Sequence, residues 1–309
     1  MLVSIGLLAV GLVVLIIGGE LLVKGAVGMA LKFNVSTMVI GLTVVSFGTS
    51  APELLVSLQA AFEGHPGIAV GNVIGSNIAN LALVLGVTAM ILPISVRRDT
   101  LKVDWSFMML STILLFAFAY DLKIVFWEGL VMFALLVLYN VYSVKRSRKL
   151  NVDIDDEDIP SKPTYVFLGL AALGCVGLVF GAGWLLDGAV GIAKEYGLSD
   201  SVIGSTIIAF GTSVPELATS VIAAFRKETD ISLGNLIGSN IFNILCILGI
   251  TPMVMTIDVD AVLLSSDMIW VLVVSFLVLP LSIKNYSINR WKGFALFMVY
   301  VGYYLFAFC

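Results

Sequence analysis

The chain holds one histidine, three cysteines and eight prolines in 309 residues, and only 12% of its residues are charged. The lone histidine, His65, sits in the polar turn Glu63-Gly64-His65-Pro66 and reads as a loop residue. By itself it cannot build an imidazole metal site or complete a Ser/His/Asp triad. Cys175 and Cys246 lie inside apolar runs, Cys309 is the last residue, and there is no CxxC. They read as small membrane-buried hydrophobes rather than as ligands or redox partners. A net charge of -4 offers no basic face to nucleic acid. A soluble domain would carry about a quarter charged residues. Lipid explains the shortfall, because lipid-facing surface must be apolar all round.

What the chain has instead is hydrophobic residues, 60% of the total, with a mean hydropathy of +1.07. A span needs about 20 apolar residues, and that ruler marks ten segments: 2–23, 35–62, 67–94, 103–120, 125–144, 164–187, 198–225, 230–255, 261–282 and 291–308. The first lacks the basic flank of a signal peptide and reads as a transmembrane helix. Alternate loops collect 15 of the 17 Lys and Arg residues, leaving only Lys123 and Lys194 on the other side. Basic loops face the cytoplasm, so both termini are expected outside, in an all-α multi-pass protein of the cell membrane. Lys24 is expected to end the first span on the inside, and Asp187 the sixth on the outside.

The longest hydrophilic stretch, 145–163, contains the acidic run Asp153-Ile154-Asp155-Asp156-Glu157-Asp158. Without the glycine turn and the glutamate spacing of an EF-hand, it reads as a cytoplasmic linker between halves 1–144 and 164–309. Those halves repeat one another. Residues 41–88 align without a gap on 204–251 at an offset of 163, with 25 identities in 48 positions. Gly25-Ala26-Val27-Gly28 falls on Gly188-Ala189-Val190-Gly191 at the same offset. Five spans per half is an odd number, so the second half is expected to enter the membrane inverted, as in many secondary transporters.

Each repeat carries two polar patches. The first is Phe47-Gly48-Thr49-Ser50-Ala51-Pro52-Glu53, echoed by Phe210-Gly211-Thr212-Ser213-Val214-Pro215-Glu216. Pro52 and Pro215 remove a backbone donor, and Gly48 and Gly211 tolerate unusual dihedrals, so the second and seventh helices are expected to break there. Glu53 and Glu216 then stand at membrane depth, where a carboxylate costs several kcal/mol unless a cation or proton offsets it. Together they would repel, and one Ca2+ or two Na+ would neutralise both. The second patch is Gly71-Asn72-Val73-Ile74-Gly75-Ser76-Asn77-Ile78-Ala79-Asn80, echoed by 234–243. Ser76 with Asn80, and Ser239 with Asn243, are four apart and share a helix face. Carboxylate, hydroxyl and amide oxygens suit a hard cation such as Ca2+ or Na+. The pairs Gly71/Gly75 and Gly234/Gly238 read as close helix-packing positions.

These patches resemble the α-1 and α-2 repeats of the cation/Ca2+ exchanger superfamily, in its sodium/calcium exchanger branch and its compact prokaryotic type. Both signatures, G-T-S-x-P-E and G-S-N-x-x-N, occur twice and in the right half-order. The resemblance implies that Glu53 and Glu216 bind Ca2+ centrally, helped by carbonyls at Thr49 and Thr212. Na+ would use the same glutamates with Ser50, Ser76, Ser213 and Ser239 and carbonyls near Ser46 and Ala209, and Asn80 and Asn243 would complete the middle. It further implies an electrogenic antiporter, not an enzyme, with Na+ and Ca2+ as cargo, no cofactor and no obligatory protein partner. Its first and sixth helices would slide across a more rigid core. Some relatives carry Asp where this chain has Asn243, which argues against K+ co-transport. Two rivals stay open. A proton/calcium antiporter of the superfamily would usually carry an acidic residue followed by His, absent near Glu53 and Glu216. A cation channel would build its carboxylate ring by symmetric assembly.

Overall fold

Backbone polar groups in lipid must be satisfied within their own segment, so long apolar runs fold as helices. The computed structural model describes residues 1–149, 161–197 and 209–308. Its helices are α1 (Leu2–Phe33), α2 (Thr37–Thr49), α3 (Ala51–Phe62), α4 (Gly67–Ile91), α5 (Thr100–Asp121), α6 (Phe126–Lys149), α7 (Thr164–Glu195), α8 (Ala209–Gly211), α9 (Val214–Phe225), α10 (Thr229–Val254), α11 (Ala261–Tyr286) and α12 (Arg290–Phe308). They fall on the expected segments; the start of the seventh segment and the acidic run of the linker lie outside the described residues. Among the described residues seven helices are long and apolar enough to cross a membrane, or eight if α2 and α3 form one broken span.

Two expected ends move. α1 continues past Lys24 to Phe33, and α7 past Asp187 to Glu195, so neither charge ends its helix. A hydropathy window stops at a charge, but the helix stops only where the backbone turns. Asn34 takes a left-handed φ of 52° after α1, and Gly197 a φ of 79° after α7. Lys24 is tolerated within α1 beside Glu20, one turn back, at 3.5 Å. Each of these helices has 32 residues. At 1.5 Å per residue that is about 48 Å, well over the ~30 Å hydrocarbon core, so both helices tilt or protrude.

α1 and α7 pack antiparallel along a glycine seam. A Cβ on Gly11, Gly18 or Gly25 would lie 2.4, 2.8 or 2.6 Å from the backbone nitrogen of Leu185, Leu178 or Ala171. Reciprocally, one on Gly174, Gly181 or Gly188 would lie 2.5, 2.7 or 2.6 Å from that of Leu22, Leu15 or Leu8. The glycines recur every seven residues on both helices and correspond at the offset of 163, so the repeat places one seam on the other. Backbone thus meets backbone with no side chain between, the close approach that holds helices together where water does not drive association.

Four two-residue strands, unforeseen in an all-α reading, brace the loops. β1 (Ile94–Ser95) pairs antiparallel with β4 (Ser287–Ile288), and β2 (Lys123–Ile124) with β3 (Ile257–Asp258). The offset of 163 carries β1 onto β3, so each pair joins one half to the other. Inside this frame α4 and α10 are the most enclosed long helices, with 78% and 83% of their apolar windows buried. They carry the second polar patch.

Candidate cation site

The expected breaks are present, one residue beyond the threonines. Pro52, at the second position of α3, has no N–H for the Gly48 carbonyl. α2 therefore ends at Thr49, Ser50 takes φ -87° and ψ 6°, and α3 leaves at 46°. Pro215 acts alike: Ser213, ahead of α9, takes φ -88° and ψ 3°. Glu53 and Glu216 each fall in the first turn after the break, where free N–H groups favour negative charge. Both are buried, at 1% and 0% exposure.

The halves meet here. Ser50 Oγ donates to Glu216 Oε1 at 3.2 Å. Thr49 Oγ1 donates to Asn235 Oδ1 at 3.0 Å and lies 3.3 Å from Ser239 Oγ. Among the described residues Glu53 Oε2 and Glu216 Oε2 have no hydrogen-bond partner, and no Lys or Arg pairs with either glutamate. Two helix N-termini thus bring two buried carboxylates to one polar junction between the halves, without a counter-charge among the described residues.

Of the other expected residues, Ser46, Ser76, Asn80, Ser213, Ser239 and Asn243 are buried. The Ser46 carbonyl accepts the Ser50 N–H at 3.0 Å and the Thr49 hydroxyl at 3.4 Å. Thr212 is only half-buried, unlike its repeat partner Thr49, and Ala209 opens the described part of the seventh segment. Asn80 lies in a π-helical segment, Ala79–Val84, and Asn243 opens another, Asn243–Ile247. An α-helical face therefore does not run unbroken from Ser76 to Asn80 or from Ser239 to Asn243. Extra-wide turns of this kind are frequent at functional sites, and apolar periodicity carries no signal for them. The glycine expectation holds in the second half, where a Cβ on Gly234 or Gly238 would meet α2 backbone at 2.7 Å. Among the described residues Gly71 and Gly75 have no such contact, the nearest neighbour being Leu263 Cδ1, 3.6 Å from a Cβ on Gly71. Met38 and Leu42, which meet Gly234 and Gly238, correspond at the offset of 163 to residues 201 and 205, which lie outside the described segments.

Several polar residues had no assigned role in the sequence reading. Asn72 Nδ2 donates to Ser57 Oγ at 3.1 Å and to the Glu53 carbonyl at 3.3 Å, and Asn235 Nδ2 donates to Ser220 Oγ at 3.1 Å. The offset of 163 maps each Asn–Ser pair onto the other, and each ties a glutamate-bearing helix to its α4 or α10 neighbour. Asn243 Nδ2 donates to Asn77 Oδ1 at 3.0 Å, and Asn77 Nδ2 to the Asn240 carbonyl at 3.3 Å, a second link between halves. Their recurrence in the aligned repeat was the available signal; their partners depend on tertiary packing. Among the described residues neither amide atom of Asn80 finds a partner, and Asn240 Oδ1 and Asn243 Oδ1 also lack donors. Each orphaned buried polar group costs about 1–3 kcal/mol, so oxygens this concentrated suit a hard cation.

The model of one family, the sodium/calcium exchanger protein, matches residues 3–145 and 166–309. The chain belongs to the sodium/calcium exchanger family. It is 33% identical over 336 residues to the sodium/calcium exchanger MaX1 of Methanosarcina acetivorans, covering 96% of each protein. It is also 33% identical over 288 residues to the inner membrane protein YrbG of Escherichia coli, covering 90% of this chain and 88% of that protein. Among solved structures, the sodium-calcium exchanger NCX_Mj soaked with 100 mM Na+ and 10 mM Sr2+ superposes with a TM-score of 0.85 at 35% identity, covering 100% of this chain and 99% of the other. This exchanger is therefore a multi-pass membrane transporter of the type that trades a cation for Ca2+, with a membrane fold shared with NCX_Mj.

Proposed function

We propose that this exchanger is an electrogenic Na+/Ca2+ antiporter working by alternating access at one shared midplane site. The observation that carries the reading is the pair Glu53 and Glu216, one from each half, buried without a counter-charge among the described residues, with Ser50, three residues before Glu53, donating to Glu216 at 3.2 Å. Two negative charges match one Ca2+ or two Na+, and a site lined by serine and threonine hydroxyls suits Na+ as well as Ca2+. In this reading Glu53, Glu216 and the Thr49 and Thr212 carbonyls take Ca2+. Ser50, Ser76, Ser213, Ser239 and the carbonyls near Ser46 and Ala209 take Na+, and Asn80 and Asn243 close the middle. The ions share ligands, so occupancy by one excludes the other, and an excess of Na+ charge over that of Ca2+ carries net charge across.

The reading includes ten spans in two inverted halves, 1–144 and 164–309, joined by a cytoplasmic linker at 145–163. The antiparallel α1–α7 seam and the crossed strand pairs support inversion, since each relates one half to the other by the same offset. The α1–α7 pair would slide over the α4–α10 core. The membrane is the cell membrane, in keeping with the inner membrane protein YrbG; both termini lie on its outer side, and one chain suffices.

The test is Ca2+ uptake by full-length protein in liposomes under an outward Na+ gradient. Uptake is expected with the Na+ gradient and not with a pH gradient alone, and Glu53→Gln or Glu216→Gln should bring it near background. Uptake driven by the pH gradient but not by Na+ would replace Na+ with H+ as the coupling ion. Normal exchange in both variants would remove the glutamates from the site.

A further inference from the structure

A groove of about 430 Å³ opens on the lipid-facing side between α5 and α6, with Lys102, Phe107, Leu110, Leu138 and Tyr142 on its walls. The helices run antiparallel there, since Asp104 meets Arg146 at 3.3 Å and the Phe107 ring stacks on Tyr139 with centroids 4.1 Å apart. Lys102 and Tyr142 therefore share one end, the end bearing the basic loops, and Leu110 and Leu135 lie deeper. On α6 the residues Leu135, Leu138, Tyr142, Lys145 and Lys149 recur at spacings of three and four and form one stripe. The stripe passes from aliphatic through phenol to ammonium, the order of chemistry met along a phospholipid from its chains to its headgroup. Lys102, Lys145 and Lys149 are exposed and make no ion pair among the described residues. Asp104, on the same helix, is buried and engaged by the Tyr139 hydroxyl at 2.9 Å and by Arg146, so it does not offset the lysines, and the exposed Asp99 forms no ion pair with them among the described residues.

The second half contains an internal control. A groove of about 280 Å³ lies between α11 and α12, lined by Ser265, Ser266, Ile269, Trp270, Val273 and Phe306. At the offset of 163 the first five correspond to Lys102, Val103, Ser106, Phe107 and Leu110; Phe306 corresponds to Tyr142 at an offset of 164. Even the buttress repeats: Tyr303 donates to Asp267 at 3.2 Å, as Tyr139 does to Asp104. The fold thus makes the same furrow twice, yet only one carries an ammonium and a phenol. Lys102, Ser106 and Tyr142 correspond to Ser265, Ile269 and Phe306 in the other.

We propose that the α5–α6 groove binds an anionic phospholipid, its phosphate held by Lys102 and Lys145 with the Tyr142 hydroxyl, and one acyl chain lying over Phe107, Leu110 and Leu138. The ligand chemistry does not depend on the transport reading; only the leaflet, the cytoplasmic one, rests on the assigned orientation. Basic pockets between helices on that side suit anionic headgroups, and each lysine near the surface contributes about 1 kcal/mol, roughly fivefold in affinity.

The test is native mass spectrometry of the full-length exchanger in neutral detergent with equimolar phosphatidylglycerol and phosphatidylcholine. The wild type should retain phosphatidylglycerol preferentially, and Lys102→Ala with Lys145→Ala should reduce that preference by more than tenfold. Ser265→Lys with Phe306→Tyr should add a second retained phosphatidylglycerol. All these residues lie outside the cation site, so Na+-driven Ca2+ uptake in phosphatidylcholine liposomes reports folding of the variants. Equal retention of both lipids by the wild type, or an unchanged preference in the double lysine variant with uptake intact, would overturn the assignment.

Discussion

At Asn235 and Ser220 a single amide–hydroxyl bond of 3.1 Å holds the α9 helix against α10 just behind Glu216. Asn72 and Ser57 do the same behind Glu53. These contacts are neutral, the first buried and the second partly so, and each contributes about 1 kcal/mol. A double-mutant cycle of Asn235→Ala and Ser220→Ala, read by thermal unfolding, is expected to show coupling of about that size. Coupling near zero would mean that the asparagine contributes through its other partner, Thr49, and not through Ser220. The Ser50–Glu216 bond between halves is a different case, because its acceptor is a carboxylate and such bonds contribute about 1.5–3 kcal/mol. Ser50→Ala is accordingly expected to weaken apparent ion affinity in uptake assays about tenfold or more, while the protein still folds.

At the scale of the element, the break between α2 and α3 depends on one missing N–H. Pro52→Ala restores the donor to the Gly48 carbonyl and a standard helix turn. The helix should gain local stability while exchange falls, because Glu53 rotates away from the Ser50–Glu216 pocket; undiminished uptake would show that the bend is set by packing rather than by proline. The α1–α7 seam depends on missing atoms instead. A Cβ on Gly18 would stand 2.8 Å from Leu178 N, while one on Gly6 meets nothing within 4 Å among the described residues. Gly18→Val is expected to destabilise by at least the 1–3 kcal/mol of ordinary overpacking, since backbone rather than a side chain must yield. Gly6→Ala, with the same helix and no neighbour, should be neutral or up to about 1 kcal/mol stabilising. Comparable unfolding midpoints for the two variants would argue against the seam.

For the whole molecule, inversion and orientation make one joint prediction. In a background with Cys175, Cys246 and Cys309 replaced by Ala, Ser161→Cys before α7 should react with an impermeant thiol reagent only from the cytoplasmic side. Tyr196→Cys, 75% exposed just after α7, should react only from outside. Labelling of both from one side would break the topology on which alternating access rests.

The sequence alone determined the membrane, the duplication, the broken helices and the two glutamates. Hydrophobic length, a constant offset and a proline one residue before an acid are properties of the chain read in order, and lipid makes each nearly compulsory. It missed where α1 and α7 end, because a charge stops a hydropathy count but not a helix. It had no means of registering the π turns around Asn80 and Asn243 or the crossed strand pairs. Only the tertiary structure decided which oxygens face one another: Ser50 on Glu216, Thr49 on Asn235 and Ser239, Asn243 on Asn77. These contacts cross between halves more than 160 residues apart, and their existence depends on how closely glycine-lined helices can approach. Duplication prescribes two equal sites, but packing made the halves unequal, burying Thr49 where Thr212 stays half-exposed and arming one lipid groove where its twin is bare.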